Sequence, residues 1–523
     1  MTTEMHPQRW GDPAAAVALP ESARGLVELA FGDVRETPAT DRELPELPAL
    51  DESLLDALRT VVGAEHVLTD AATRALRTRG KSTPDLLRAR AGDLTDAPDV
   101  VVRPATQAEV EALVALAVEH HLALVPFGGG TSVTGGLVAR REGFAGVVSL
   151  DLVRLDRLVA VDTESMTATL EPGLRGPQAE ALLAAHGLTL GHFPQSYQHA
   201  SIGGFAATRS SGQSSAGYGR FDSLVVGLTV VTPSGVLTLG SAPATAAGPD
   251  LRQLVLGSEG TLGVITSVTV RVRPVPVTRV YDGWRWPSFA AGSDAMRTLA
   301  QAGLLPTVIR LSDETETAIN LADPESIGAG GDAGCLMVVG HEGEPDVVAA
   351  RRAAVAAVLT RLGGTDLGEE PGRAWEQGRF HAPYLRDALL DVGVLVETLE
   401  TATFWSNRQR LYDAVRAALT GALGEGALVL CHVSHVYETG CSLYFTVAAR
   451  QAEDPLEQWA AAKAAASDAI IAAGATITHH HAIGTDHKPW FAREIGPVGV
   501  QVLRAVKNSL DPTGVLNPGV LVP

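Results

Sequence analysis

Apolar residues in this chain fall into short blocks, and the spacing of the blocks outlines a fold before any residue chemistry is considered. Val100-Val101-Val102 is an uninterrupted apolar block of the length of a buried strand. Thr106, followed three positions later by Glu109, resembles a capping box, and it predicts a helix over 107–120. A second strand, Leu122 to Val125, delivers the chain to Pro126-Phe127-Gly128-Gly129-Gly130-Thr131-Ser132, so the unit reads strand, helix, strand, glycine loop. Further strands are predicted at Gly146 to Ser149, Thr167 to Leu170, Leu224 to Thr232 and Leu262 to Val272. Pro233-Ser234-Gly235 supplies a turn into Val236-Leu237.

These blocks divide the chain. Residues 1–95 are charged, Ala/Leu-rich and broken by Pro and Gly; Leu54 to Val62 and Ala71 to Arg79 read as short helices of an N-terminal extension expected simply to pack on the rest. The first domain is expected over 96–275, and Pro274 and Pro276 mark its end. Over 276–455, helical stretches alternate with strands such as Leu336 to Val339 and Leu443 to Val447, which predicts an α+β cap. An Ala-rich helix near 456–473 then leads to Gly474 and a histidine loop, and the segment 456–523 is expected to return to the first lobe.

Composition narrows the function. At 523 residues the chain is too long for one hydrophobic core, and at 46% hydrophobic residues it is well able to fold. Its 41 Lys and Arg against 60 Asp and Glu give a formal charge of −19, which repels nucleic acid at long range. Three cysteines without metal spacing fit a reducing compartment. Met1-Thr2-Thr3-Glu4 lacks a basic and apolar signal segment and no apolar run reaches about 20 residues. A cytoplasmic protein without a transmembrane anchor is therefore expected, with peripheral contact at the inner membrane surface still open.

Three small-residue loops carry the first chemistry. Gly128-Gly129-Gly130 follows a strand directly; missing Cβ atoms allow close anion approach, and successive N–H groups can nest a diphosphate, although a tight structural turn uses the same residues. The second loop runs through Gly191-His192-Phe193-Pro194-Gln195-Ser196-Tyr197-Gln198-His199-Ala200-Ser201 to Thr208-Arg209-Ser210-Ser211. The third is Ser258-Glu259-Gly260-Thr261-Leu262-Gly263-Val264. Three such loops in one domain point to one extended ligand touched repeatedly. Neither the G-x-G-x-x-G nor the G-x-x-x-x-G-K-S/T pattern is present, which argues against a Rossmann dinucleotide domain and a P-loop ATPase.

Farther along, Thr478-His479-His480-His481-Ala482-Ile483-Gly484 places three imidazoles in a row. On an extended segment alternate side chains share a face, so His479 and His481 are expected together with His480 pointing elsewhere. Proton exchange is the favoured use, since imidazole titrates near neutrality. A metal cluster and plain hydrogen-bonded histidines are the other readings.

The three glycine loops resemble those of the vanillyl-alcohol-oxidase and PCMH-type FAD-binding flavoproteins, over most of the chain from about residue 80. The resemblance implies an α+β, two-lobed FAD-binding fold with an α+β cap. It implies FAD contacts at 126–132, 195–201, 208–211 and 258–264. It also implies dissociable FAD, because no histidine lies in or beside Gly128 to Ser132 and His192 is a weak candidate for a covalent link.

The histidine loop narrows the resemblance to the alkyldihydroxyacetonephosphate synthases of ether-lipid synthesis. Their active-site tyrosine matches Tyr444 in Gly440-Cys441-Ser442-Leu443-Tyr444, their substrate-phosphate arginine matches Arg386 in Tyr384-Leu385-Arg386-Asp387, and a further functional arginine matches Arg310 in Val308-Ile309-Arg310-Leu311. On composition alone Tyr444 reads as core, and Arg386 as half of an ion pair with Asp387. The implied reaction exchanges the acyl group of acyl-dihydroxyacetone phosphate for a fatty alcohol without net redox. Tyr444, His479, His480, His481 and Arg310 would be catalytic, Arg386 would hold the phosphate, no metal would be needed, and a homodimer is the implied assembly. Phe193 and Gln195 stand where the eukaryotic synthases carry acidic residues, while Lys488 and Trp490 are retained. The alternative on the same fold is a FAD-linked 2-hydroxyacid or alcohol dehydrogenase. A noncatalytic flavin-binding module is a third class.

Overall fold

The computed structural model describes residues 4–319 and 334–523, apart from 17, 20, 33, 34, 41–43, 45, 46, 48 and 139. The apolar blocks become four sheets. In the first, β1 (Val67–Leu68), β2 (Val100–Val102), β3 (Leu122–Phe127) and β4 (Gly146–Asp151) lie in the order β1-β2-β4-β3. The β4 strand runs parallel to both β2 and β3, and the helix Gln107–His120 crosses between β2 and β3. Parallel strands covered on both faces are apolar throughout, which is why Val100, Val101 and Val102 are all completely buried. The helix begins as the sequence indicated, with Thr106 Oγ1 accepting the Glu109 N–H at 3.2 Å. Glu109, however, reaches back to the N–H of Ala105 rather than that of Thr106.

The second sheet, β5 (Leu158–Asp162), β6 (Thr167–Leu170), β8 (Val225–Thr232), β9 (Gly235–Leu239) and β10 (Val264–Arg271), has the antiparallel order β5-β6-β10-β8-β9. A two-stranded ribbon joins β7 (Leu188–Thr189) to β11 (Arg273–Pro274). The cap is built on β12 (Thr278–Trp286), β13 (Val308–Ser312), β14 (Cys335–Gly343), β15 (Thr365–Gly368), β16 (Val394–Phe404), β17 (Leu428–Val433) and β18 (Gly440–Arg450), in the order β15-β12-β14-β13-β17-β18-β16. Along β18 the period of two sorts the residues: Leu443, Phe445 and Val447 enter a core with Trp286, Met296 and Tyr412. Tyr444 and Thr446 face the other way, into a cavity.

Both ends of the chain are tied to this body. The N-terminal extension supplies β1 to the first sheet, and its Trp10 and Lys81 border the cavity, which goes beyond the packing role expected of it. At the C-terminal end Leu516 bridges to Leu124, and the Asn517 side chain donates to the carbonyls of Gly136 and Glu259. Among the described residues no helix is long and apolar enough to cross a membrane.

Candidate active site

A cavity of about 810 Å³ lies between the glycine loops and the open face of the cap sheet. Its floor is made of interlocked loops. A Cβ on Gly129 would sit 2.3 Å from the His199 carbonyl oxygen, and one on Gly128 would sit 2.4 Å from Ser201 Oγ. One on Gly260 would meet Pro126 at 2.8 Å. The glycines thus let the three loops close into one surface of backbone, which a side chain at any of these points would force apart.

Pro126, Phe127, Gly128, Gly129, Gly130, Thr131, Ser132, Gln195, Ser196, Ala200, Ser201, Thr208, Ser210, Ser211, Glu259, Gly260 and Gly263 all border the cavity. Gln198 and His199 border a smaller one beside it, and Tyr197, Ser258, Thr261, Leu262 and Val264 border neither. Arg209 also lies outside: its guanidinium donates to the carbonyls of Leu256 and Gln253, so it ties the second loop to the short helix Arg252–Val255 that leads into the third.

Histidine placement departs from the alternation expected of a strand. His480 and His481 border the cavity and His479 does not. The cause is Glu400, buried on β16. Its carboxylate accepts the consecutive backbone N–H groups of His479 (2.7 Å), His480 (3.1 Å) and His481 (2.9 Å), and the Thr478 hydroxyl. Successive N–H groups of a strand point to opposite sides; here three converge on one anion, so the chain curls into a nest. Burial would raise the Glu400 pKa, but His480, His481 and His479 and the Thr478 hydrogen bond hold it well below the usual carboxylate range. From the other lobe, Glu259 accepts the N–H groups of Ile483 and Gly484. Burial pushes its pKa up to about 7 against those hydrogen bonds.

The rings form a connected array. Tyr437 Oη lies 2.6 Å from His479 Nε2, and His479 Nδ1 lies 2.9 Å from His480 Nδ1. His435 stacks on His479 at 4.9 Å, with its Nδ1 against the hydroxyls of Ser215 (2.7 Å) and Ser211 (3.0 Å). Ring nitrogens of His435, His479 and His480 come within 4.8 Å of one another, but the contacts just described engage Nδ1 of all three. Burial lowers the pKa of each, and that of His481 to about 3, so the array is neutral at physiological pH.

Tyr444 faces Glu400 on one neighbouring strand and His432 on the other. Its ring stacks on His432 at 4.7 Å and on His480 at 6.1 Å, and meets His481 edge-on at 5.5 Å. Burial raises the phenol pKa to about 12, against a hydrogen bond with Thr398. Arg310 borders the same cavity and is held by Glu316 at 2.9 Å and His432 Nδ1 at 3.0 Å. Arg386 is pinned from every side: Nε and Nη2 donate to Asp387 and Nη1 to the Lys81 carbonyl. The Arg386–Asp387 pair is buried, not at the surface. Lys81 lies beside it, and burial lowers its pKa to about 8.

Glu400, Tyr437, His435 and His432 were missed by sequence reasoning. The clue was Cys431-His432-Val433-Ser434-His435-Val436-Tyr437, where polar residues interrupt an apolar strand.

The family profile described as FAD binding domain matches residues 98–240, and that described as FAD linked oxidases, C-terminal domain, matches residues 275–521. With the two lobes and the interlocked loops, these define a FAD-dependent flavoenzyme of the two-lobed PCMH type, and FAD is its cofactor. An alkyldihydroxyacetonephosphate synthase of Dictyostelium discoideum is 33% identical over 97% of this chain and 88% of its own. One of Trypanosoma brucei brucei is 33% identical over 94% and 84%. A solved alkyldihydroxyacetonephosphate synthase superposes with a TM-score of 0.83 at 30% identity, covering 98% of both chains. The chain belongs to the alkyldihydroxyacetonephosphate synthase family.

Proposed function

We propose that this protein exchanges the acyl group of acyl-dihydroxyacetone phosphate for a fatty alcohol, without net redox. The observation that carries the reading is the stacking of Tyr444 between His432 and His480, on the wall of a cavity whose opposite side is the glycine-loop surface. The exchange must take a proton from a carbon and give one to a leaving or entering oxygen. A neutral imidazole can accept the first and a protonated phenol can give the second, and passing the proton along the array returns both groups to their neutral forms.

Pro126 to Ser132, Gln195 to Ser201, Thr208 to Ser211 and Ser258 to Val264 are the segments we assign to holding FAD, without a covalent link. When bound, FAD supplies an electron-poor ring system able to take and return charge. Tyr444, with His480 and His481, moves the proton at the substrate carbon. His479 and Tyr437 behind them relay it away from the cavity. Arg310 stabilises negative charge near His432. Lys81 stands beside the Arg386–Asp387 pair, and we assign this group to the phosphate end of the cavity. Aliphatic walls at Leu336, Val338, Leu367 and Leu389 exclude water and suit the long chains.

The test is mass spectrometry after incubating FAD-loaded protein with hexadecanoyl-dihydroxyacetone phosphate and deuterated hexadecanol. Deuterated ether product together with free hexadecanoate is expected. Intact substrates beside a protein that reduces its flavin with D-lactate would replace this reading by the 2-hydroxyacid dehydrogenase.

A further inference from the structure

Arg386 spends three of its five N–H groups on Asp387 and Lys81, whereas another arginine on the same wall is held without such partners. Arg379 follows the helix Glu370–Gly378 and borders the cavity. Its guanidinium stands 5.1 Å from the ring of Phe380, 5.4 Å from that of Phe193 and 5.6 Å from that of Trp375. Among the described residues no atom accepts a hydrogen bond from its Nη1, which is buried. Aromatic rings attract a cation without using its N–H groups, so this box fixes the arginine while leaving donors unspent.

Two neighbours share the condition. Gln213 donates to the Arg379 carbonyl at 3.1 Å and reaches Gln195 Oε1 at 3.5 Å. Gln195 Nε2 and Gln213 Oε1 are themselves buried without partners, and both residues border the cavity. Buried donors left unpaired are costly, and a guanidinium more so than an amide. Phe193 faces the cation and Gln195 offers the amide, and neither carries a charge. Acids there would neutralise Arg379; Phe193 and Gln195 leave it available.

We infer that Arg379 and Gln195 form an oxyanion-binding point in the cavity, one that the family resemblance did not indicate. The inference rests on the proposed reaction, which offers two such oxyanions: the phosphate of the donor and the carboxylate of the released fatty acid. Arg379 grips one of them through its free N–H edge, Gln195 adds a neutral donor, and the aromatic box keeps the guanidinium plane fixed.

Calorimetric titration of FAD-loaded protein with dihydroxyacetone phosphate and, separately, with hexadecanoate tests this. In Arg379→Met the dissociation constant of at least one probe rises by about 10–100-fold, the range expected for a charge-assisted hydrogen bond. Arg379→Lys recovers part of the loss, and Gln195→Asp weakens the same probe. A loss confined to dihydroxyacetone phosphate assigns the phosphate; one confined to hexadecanoate assigns the carboxylate. Unchanged affinities for both probes in Arg379→Lys and Gln195→Asp, each retaining FAD, would overturn the inference even if Arg379→Met did not fold. Arg379-dependent binding in a protein that makes no ether would leave the site standing and remove the proposed reaction.

Discussion

The two oxygens of Glu400 hold the backbone of His480 and of both its neighbours, so a residue on the cap sheet sets the direction of every imidazole in the loop. Glu400→Gln replaces one acceptor oxygen by a donor facing N–H groups. Each buried N–H left unpaired costs about 1–3 kcal/mol. The expected outcome is a melting temperature several degrees lower with FAD still bound, and slower turnover, read by thermal scanning fluorimetry and product assay. An unchanged melting temperature would mean the nest contributes nothing.

Tyr444 is buried and stacked, so Tyr444→Phe keeps the ring and removes only the hydroxyl. Turnover should fall by about 10²–10⁴-fold, the usual contribution of a positioned proton donor, with FAD content and melting temperature nearly unchanged. Tyr437→Phe, which loses the relay contact to His479 and the hydrogen bond with Arg220, should cost less. Equal losses in the two variants would remove the distinction between donor and relay.

Acid should unfold the protein early. Burial holds His481 and His192 at about 3 and His487 at about 4, and His435, His479 and His480 also lie below 6.5. Below pH 6.5 the unfolded chain binds protons that the folded chain refuses, so stability is full above 6.5 and falls as the pH drops. Glu259, raised to about 7, acts oppositely between its ordinary 4.5 and 7: there the folded state holds the extra proton and stability falls as the pH rises. Burial also holds His199 and His341 at about 4, and the histidines together outweigh Glu259 and the other carboxyls that burial raises, Asp313 (to about 6), Glu180 and Asp85. Melting temperatures should decline steadily from pH 7 to pH 5, and His481→Asn should make the decline shallower. A flat profile would contradict the burial of the neutral array.

Gly129→Ala tests the interlocked loops. Its Cβ would lie 2.3 Å from the His199 carbonyl oxygen and 2.7 Å from the Ala200 Cα, both backbone atoms that cannot turn aside. FAD affinity should drop by tenfold or more, about 1.4 kcal/mol, measured as flavin absorbance retained after gel filtration. Full retention would show that the loops are not shaped around the cofactor.

Much of the first lobe was legible because local rules decide it. The block Leu122 to Val125 became a strand with glycines directly beyond it, and the helix 107–120 ended where it was read. The histidine loop was visible as a motif but not as a geometry. Its curl depends on Glu400, an acid far away in sequence that looked like one polar residue in an apolar strand. His432 was hidden because its meaning comes from the register of β17 against β18, and His435 and Tyr437 because they lie in the connection between those strands and meet the histidine loop only in the fold. Arg386 was singled out through resemblance, and the adjacent Asp387 already warned that its donors would be engaged.

The most direct test of a synthase without net redox is to count ether formed against flavin reduced, in one sealed anaerobic cuvette. FAD-loaded protein is mixed with hexadecanoyl-dihydroxyacetone phosphate and hexadecanol and no electron acceptor, and flavin absorbance is followed while samples are withdrawn for mass spectrometry. The account predicts many ether molecules per protein with the flavin still oxidised at the end. Bleaching of the flavin after a single equivalent of substrate, with no ether, would contradict it.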